Sequence, residues 1–433
     1  MGPSTGVTLP QLPNYSPDLF VNREEAIQLV VNKVHRISSG TPERKRVIVF
    51  EGYRGSGKSW LLQHLAREIL GVPGAAAAYI NLRDHKAKAP NVAVIDVIEQ
   101  IGGCLGASTA FLTVEVAANR LIEAVNAHTD TVLVLLVDFV YEAPQEILES
   151  LEKHVLGPLV VIPHVVIVMA GRGQAYPWLT LRLRFDAEYH ELEPFSEVEH
   201  TREQLKKQRP NAALHADDIH KATRGYPLAN VVIPYPLAKA TLAEMKTMID
   251  LLLEPIRKPD GTWPPERQHL EALCVLRTFD EERIPILLDA YNGKQVISNF
   301  ALYYNSSGPA RGGWTLAKAS EIFRGLIATQ LVRWNSDAGG WWIVDQAIRE
   351  LLEEYLRVAE PDRWRCCHET AINLYQDWRA RYPEEAALWE EEVKHHETGL
   401  SHLKQNQDDP GIASGEEHDD KRSRRVHFGE GDA

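Results

Sequence analysis

Cysteine is scarce: Cys104, Cys274, Cys366 and Cys367 are the four in 433 residues. Nothing in their spacing suggests a disulfide framework, and the adjacent Cys366-Cys367 pair has no zinc-ligand spacing. Long apolar runs are missing as well. No stretch approaches the ~20 uninterrupted apolar residues of a membrane span, so no membrane partner is expected. The first residues, MGPSTGVTLPQLPNYSP, have neither a basic start nor an apolar core. They do not read as a secretory signal, and a reducing cytoplasm is the expected compartment. A basic excess is lacking too. The formal net charge of −13 argues against nucleic acid as the main partner, while leaving room for a local basic patch. The length is enough for about two to four domains.

What is present is concentrated in residues 47–65, VIVFEGYRGSGKSWLLQHL. An apolar β-rich run meets a glycine-rich turn, then Lys58-Ser59, then Leu61, Leu62, Leu65 and Ile69 at helical spacing. Gly52, Gly57, Lys58 and Ser59 fill the fixed positions of the phosphate loop GxxxxGK[ST]. Glycines let backbone N–H groups converge on phosphate oxygens, and the helix that follows points its positive end at the same anion. The binding stretch is therefore Gly52, Arg54, Gly55, Ser56, Gly57, Lys58, Ser59 and Trp60. Lys58 is expected on the β- and γ-phosphates and the Ser59 hydroxyl on Mg²⁺.

Around the loop the pattern alternates strands and helices, which predicts an α/β fold. Residues 1–17 read as a flexible leader. Strands are expected at 46–51, 76–82, 131–137, 165–169 and 185–192, with helices between them. The run 131–137 ends at Asp138, where a carboxylate can organise Mg²⁺, although an Asp at a strand end also serves simply to start a loop. Arg172 follows the strand 165–169, at the sheet edge where ligands bind; it reads either as a sensor of the terminal phosphate or as a solvated loop arginine. Ser196 and Glu199 form a capping-box pattern for a helix at 197–208. Further helices are expected at 216–223, after Pro227, and at 240–253. Beyond the Pro/Gly-rich stretch 258–265 the order is helix, helix, helix, β-hairpin, helix, the order of a winged helix. A helical hairpin at 361–403 and a polar tail from 404, expected to be disordered, complete the chain. The tail carries a basic cluster followed by Val426-His427-Phe428.

Together these stretches resemble a STAND-type P-loop NTPase, the signal-transducing branch related to AAA+ ATPases, over residues 18–360. Phe20-Val21-Asn22-Arg23-Glu24 is similar to that family's entry motif beside the base, with Asn22 where Gly is usual. LLVDF, ending in Asp138-Phe139, resembles the Walker B element and MAGR the sensor arginine, Arg172. GYPL is similar to the GxP motif, which would set Pro227 near the adenine. WWIVDQAIRELL resembles the winged-helix ending, with Asp345 in place of the usual His and Arg349 in place of the Arg.

The resemblance implies a P-loop NTPase parallel-sheet core at 18–196, a helical lid at 197–254, a winged-helix domain at 255–360, and C-terminal helices. It implies ATP/ADP and Mg²⁺ as cofactors, with Asn22, Arg23 and Pro227 at the nucleotide, Ser59 and Asp138 at the metal, and Lys58, Asp138 and Arg172 as the chemical centre. Phe139 stands where hydrolytic relatives carry an acid that polarises water; Glu142, in the next turn, is the candidate substitute. The expectation is a molecular switch with slow or regulated hydrolysis, a separate protein effector or sensor partner, and homo-oligomer assembly on ATP. The expectation is no room for an effector before Phe20 and one hairpin after the winged helix, which fits a minimal member, a chain that acts with a separate effector, or a piece of a longer protein. The second reading is a DNA-associated AAA+ ATPase resembling replication initiators. It is the less favoured, because Lys318 and Arg324 against Glu321 make a thin basic patch on the expected recognition helix.

Overall fold

Apolar alternation decides the centre of the molecule. β1 (Val47–Glu51), β2 (Ala75–Asn81), β3 (Val132–Asp138), β4 (Val165–Ala170) and β5 (Ala187–Glu191) pair in parallel in the order β2-β3-β4-β1-β5. Every residue of β3 and β4 is buried, which is why both read as unbroken apolar runs: each face of these strands is covered by helices. Successive side chains divide between the two faces. Val47, Val49, Leu133, Leu135 and Ile167 join one core, while Ile48, Phe50, Val134, Leu136 and Val168 join the other. Helices α1 (Glu24–Ser38) and α2 (Lys58–Leu70) cover the second core with Val30, Val34, Leu61 and Leu65. Helices α3 (Pro90–Cys104) and α4 (Val114–Ala127) cover the first with Val94, Ile98 and Leu121. Each such buried side chain contributes about 1.5–3 kcal/mol, so the three-layer arrangement fixes the sheet firmly beneath its loops.

In this computed structural model the described residues are 14–107, 113–172, 176–236, 240–258, 260–294, 314–335, 340–343 and 346–407. They belong to two units, Met1–Cys367 and His368–Ala433, each with its own packing. In the first, the sheet is followed by the lid helices Val198–Gln208, Ala216–Thr223 and Pro227–Val232 and by the helix Leu242–Leu253. A winged helix comes next: Pro265–Leu273, Arg283–Tyr291, Leu316–Ala328, the antiparallel hairpin β6 (Val332–Asn335) and β7 (Gly340–Ile343), and Gln346–Ala359. Asp280 precedes its second helix, its Oδ1 accepting from the backbone N–H groups of Glu282 and Arg283 at 3.0 Å each. In the second unit Tyr375 stacks on Trp389 at 5.7 Å, and the last helix runs to Gln407, past the expected end of the hairpin at 403.

Local expectations differ from the structure at two places. The expected edge strand from 185 begins instead with the short helix Leu181–Phe185, and β5 starts at Ala187. The Leu-Arg-Leu-Arg-Phe alternation mimics a strand, yet Leu183 alone of its apolar residues is buried. The capping box at Ser196 does not form. The N-cap is Glu197 without a side-chain bond, and Glu199 pairs with Arg202. A capping box forms at Thr241 and Glu244 instead. The leader residues 1–13, Asp345 and the tail beyond 407 lie outside the described residues.

Candidate functional site

The carboxyl ends of β1, β3 and β4 bring the sequence candidates to one edge of the sheet. Register pairs Phe50 with Ala170, Val137 with Met169 and Asn81 with Asp138, so the turns after four neighbouring strands lie side by side. At the end of β1 the chain enters the loop from Gly52 to Gly57. Gly57 is the N-cap of α2 at φ 98°, a left-handed conformation that strains any residue with a Cβ. Gly55, at φ 84°, has no room for a side chain either: an added Cβ would lie 2.3 Å from the Cβ of Leu228 in the lid. The loop is therefore a backbone cradle closed from above by the lid, which is what a phosphate needs of it.

Lys58 is buried at the start of α2. Its ammonium donates to the carbonyl oxygens of Gly52 at 2.7 Å and Tyr53 at 2.6 Å. Burial, then repulsion from Arg172, pushes it down to about 7, with Asp138 and Glu142 pulling the other way. The cation is held by carbonyls of its own loop.

Asp138 is 1% exposed at the end of β3. Its Oδ2 accepts from the Tyr79 hydroxyl at 3.0 Å and its Oδ1 from the Phe139 N–H at 2.9 Å. Burial raises its carboxyl above the usual range, against a hydrogen bond from Ser59 that lowers it. Ser59 and Asp138 thus meet as a hydroxyl and a carboxylate, the oxygen donor pair that suits Mg²⁺. Phe139 takes a left-handed turn, φ 58°, and lies under the Arg83 guanidinium at 3.9 Å. One turn on, Glu142 meets Arg172 in an ion pair: Nε lies 2.8 Å from Oε1, and Nη2 donates to Oε2 at 3.2 Å. Arg172 Nη1 is buried with no hydrogen-bond partner among the described residues. Burial lowers the Arg172 guanidinium from its ordinary value, as it does for Arg23, pushed to about 10.

Beside the loop a cleft of about 190 Å³ runs between Trp60, Gln204, Gln208 and Pro227. A smaller cavity of about 40 Å³ adjoins it, sharing Trp60, Gln204, Gln208 and Pro227, and is lined by Leu19, Phe20, Val21 and Arg23 of a strap made from the residues before α1. Phe20 stacks on His64 at 4.2 Å and Tyr15 meets Trp60 edge-on at 5.8 Å. Lys207 and Gln208 of the lid donate to the strap carbonyls of Phe20 and Leu19. Arg23, in a left-handed conformation after the equally left-handed Asn22, donates to Ser56 O at 2.9 Å and Glu193 O at 2.8 Å. The strap therefore joins loop, sheet and lid. Arg54 extends from the loop to an ion pair with Glu254, just beyond the helix Leu242–Leu253.

Of the sequence candidates, Lys58, Ser59, Asp138, Glu142 and Arg172 gather at the sheet edge, and Trp60, Arg23 and Pro227 gather at the cleft. The Asn22 side chain turns back to its neighbour, accepting from Arg23 N at 2.5 Å. Arg349 stays inside the winged helix, donating to Cys274 O at 3.1 Å and Glu353 at 3.1 Å. Sequence reasoning missed Tyr79 and Arg83. The signal for Arg83 was present: it follows β2 just as Arg172 follows β4.

No protein-family model matches this chain, and no curated protein matches it in sequence. Solved structures match at a distance. The Aeropyrum pernix ORC1 protein in complex with DNA is 16% identical, with a TM-score of 0.40 over 81% of this chain and 97% of that one. Cdc6p from Pyrobaculum aerophilum is 13% identical, with a TM-score of 0.38 over 79% and 97%. The Thermotoga maritima RuvB Holliday junction branch migration motor is 14% identical, with a TM-score of 0.34 over 78% and 97%. At these values the likeness carries no argument about ligand or partner. The fold rests on the chain itself: β1, which leads into the glycine loop, lies between β4 and β5 in a parallel sheet, followed by a helical region and a winged helix, the α/β architecture expected from the sequence.

Proposed function

We propose that this chain is an ATP/ADP-binding switch of the AAA+ type, with slow or regulated hydrolysis. One observation carries the reading. Lys58, the Ser59–Asp138 pair and Arg172, whose Nη1 has no partner among the described residues, converge on one glycine-built cradle at the carboxyl edge of the sheet. In this reading the loop backbone binds the phosphates, Lys58 and Arg172 take the terminal ones, and the strap and Pro227 flank the base. Ser59 and Asp138 would hold Mg²⁺, which when bound neutralises phosphate charge. Glu142 is the carboxylate near enough to orient a water, and its engagement by Arg172 fits slow turnover.

The boundaries favour a switch over a rigid binder. The cleft is walled by core and lid together, and Arg54–Glu254 runs from the loop to the segment beside the winged helix. A ligand moves such an equilibrium only by its differential affinity, which the γ-phosphate supplies. Limited proteolysis with ADP and with a slowly hydrolysed ATP analogue tests this. The expected outcome is a different pattern for the two nucleotides at sites between 197 and 360. Identical patterns with both nucleotides bound would refute the switch.

What the switch acts on has two readings. In the first, of STAND type, the partner is a protein effector or sensor, and ATP promotes assembly into a homo-oligomer. In the second the chain is a DNA-associated ATPase of the replication-initiator kind. The exposed Lys318 and Arg324 of the third winged-helix helix favour the second, and exposed Glu321 between them weakens it. Salt-dependent binding of a DNA duplex would establish the second; no binding at low salt would remove it.

A further inference from the structure

Beside Lys58 lies a three-member clamp that the switch has not yet used. Glu142, on the turn Val140–Glu142, receives Arg172 through both carboxylate oxygens and also accepts from Arg83 Nη2 on Oε2 at 3.1 Å. The two arginines differ in their surroundings. The Arg172 side chain is 10% exposed and keeps Nη1 buried with no partner among the described residues. Arg83 is 46% exposed, comes from the turn Leu82–His85, and rests on the Phe139 ring. Arg172 lies near enough to Lys58 to repel its ammonium. A buried guanidinium with a spare donor is an unfinished anion site, and its present anion, Glu142, is shared with a more exposed cation at the rim.

We infer that Glu142 is an internal stand-in for the terminal phosphate of a nucleoside triphosphate, and that Arg83 is the positioning residue that receives it when that phosphate binds Arg172. This rests on the nucleotide reading above. A γ-phosphate on Arg172 brings a second anion beside Glu142, and the two like charges repel. Glu142 leaves Arg172 and keeps Arg83, which already holds one of its oxygens. A diphosphate lacks the group that reaches Arg172 and leaves the clamp closed. Arg83 thereby sets how well the site tells a triphosphate from a diphosphate, although it touches neither. Phe139, where relatives carry an acid, is the platform that keeps Arg83 beside Glu142.

The test is the ratio of affinities for a slowly hydrolysed ATP analogue and for ADP, both with Mg²⁺, by titration calorimetry on the full chain. Arg83→Ala is expected to lower that ratio roughly tenfold, the scale of one charge-assisted hydrogen bond. Glu142→Gln is expected to raise it, because the competing anion is gone. The double variant is expected to match Glu142→Gln, because Arg83 acts only through Glu142. Arg83→Lys, which keeps the charge, should recover most of the loss. A ratio unchanged within about twofold in Arg83→Ala, or a double variant that keeps the Arg83→Ala deficit, overturns the inference. The two levels separate with Lys58→Ala. If that variant loses both nucleotides while Arg83→Ala leaves the ratio unmoved, this inference alone falls. If Lys58→Ala loses neither, the nucleotide reading falls and takes this inference with it.

Discussion

At the scale of the residue, Lys58 makes the pH dependence of the site predictable. Its folded value of about 7 lies well below the roughly 10.4 of an unfolded lysine. Between those values the unfolded chain holds the proton and the native chain does not, so this group makes stability rise with pH across that window. Nucleotide binding has the opposite sign. Phosphate favours the ammonium, so binding takes up a proton, and affinity falls as pH rises through about 7. The expected slope above that point approaches tenfold per pH unit. Calorimetry at pH 8 in two buffers of different ionisation enthalpy reads the proton directly. Equal heats in both would show that Lys58 was already charged.

At the scale of the element, the glycine loop and the lid form one device. Gly55→Ala places a Cβ 2.3 Å from Leu228 and forces alanine into a left-handed conformation. The predicted loss is about 1–3 kcal/mol of stability in urea unfolding, with weaker nucleotide binding. Adding Leu228→Ala should restore the steric share and leave the conformational share. No recovery in the double variant would mean that lid and loop do not press on each other there. This scale also explains what was legible in the sequence. Buried parallel strands announce themselves as apolar runs, and their polar ends mark the sheet edge, so Lys58, Asp138 and Arg172 could be placed without coordinates. The clamp could not. Arg83 and Glu142 meet because Asn81 pairs with Asp138, a register set by long-range strand pairing that local pattern does not contain. The failed cap at Ser196 has a local cause instead: Glu199 has a competing partner in Arg202.

At the scale of the molecule, the account joins a phosphate cradle to a lid and a winged helix through a few polar ties. Arg54–Glu254 and the two-pronged Arg224–Glu350 pair, at 3.0 Å on each prong, are exposed enough that each contributes about 0–1 kcal/mol. Weak ties suit parts that must rearrange, and the strap of Tyr15, Phe20 and Arg23 supplies the firmer hold at the base cleft. All of this depends on the ligand being a nucleotide. Calorimetric titration of the wild-type chain and of Lys58→Ala with ATP and Mg²⁺ tests that claim most directly. The account predicts saturable binding to the wild type and a loss of at least about a hundredfold in Lys58→Ala, the scale of a buried charge-assisted contact. Equal affinity in the two proteins, with Lys58→Ala still folded, would contradict it.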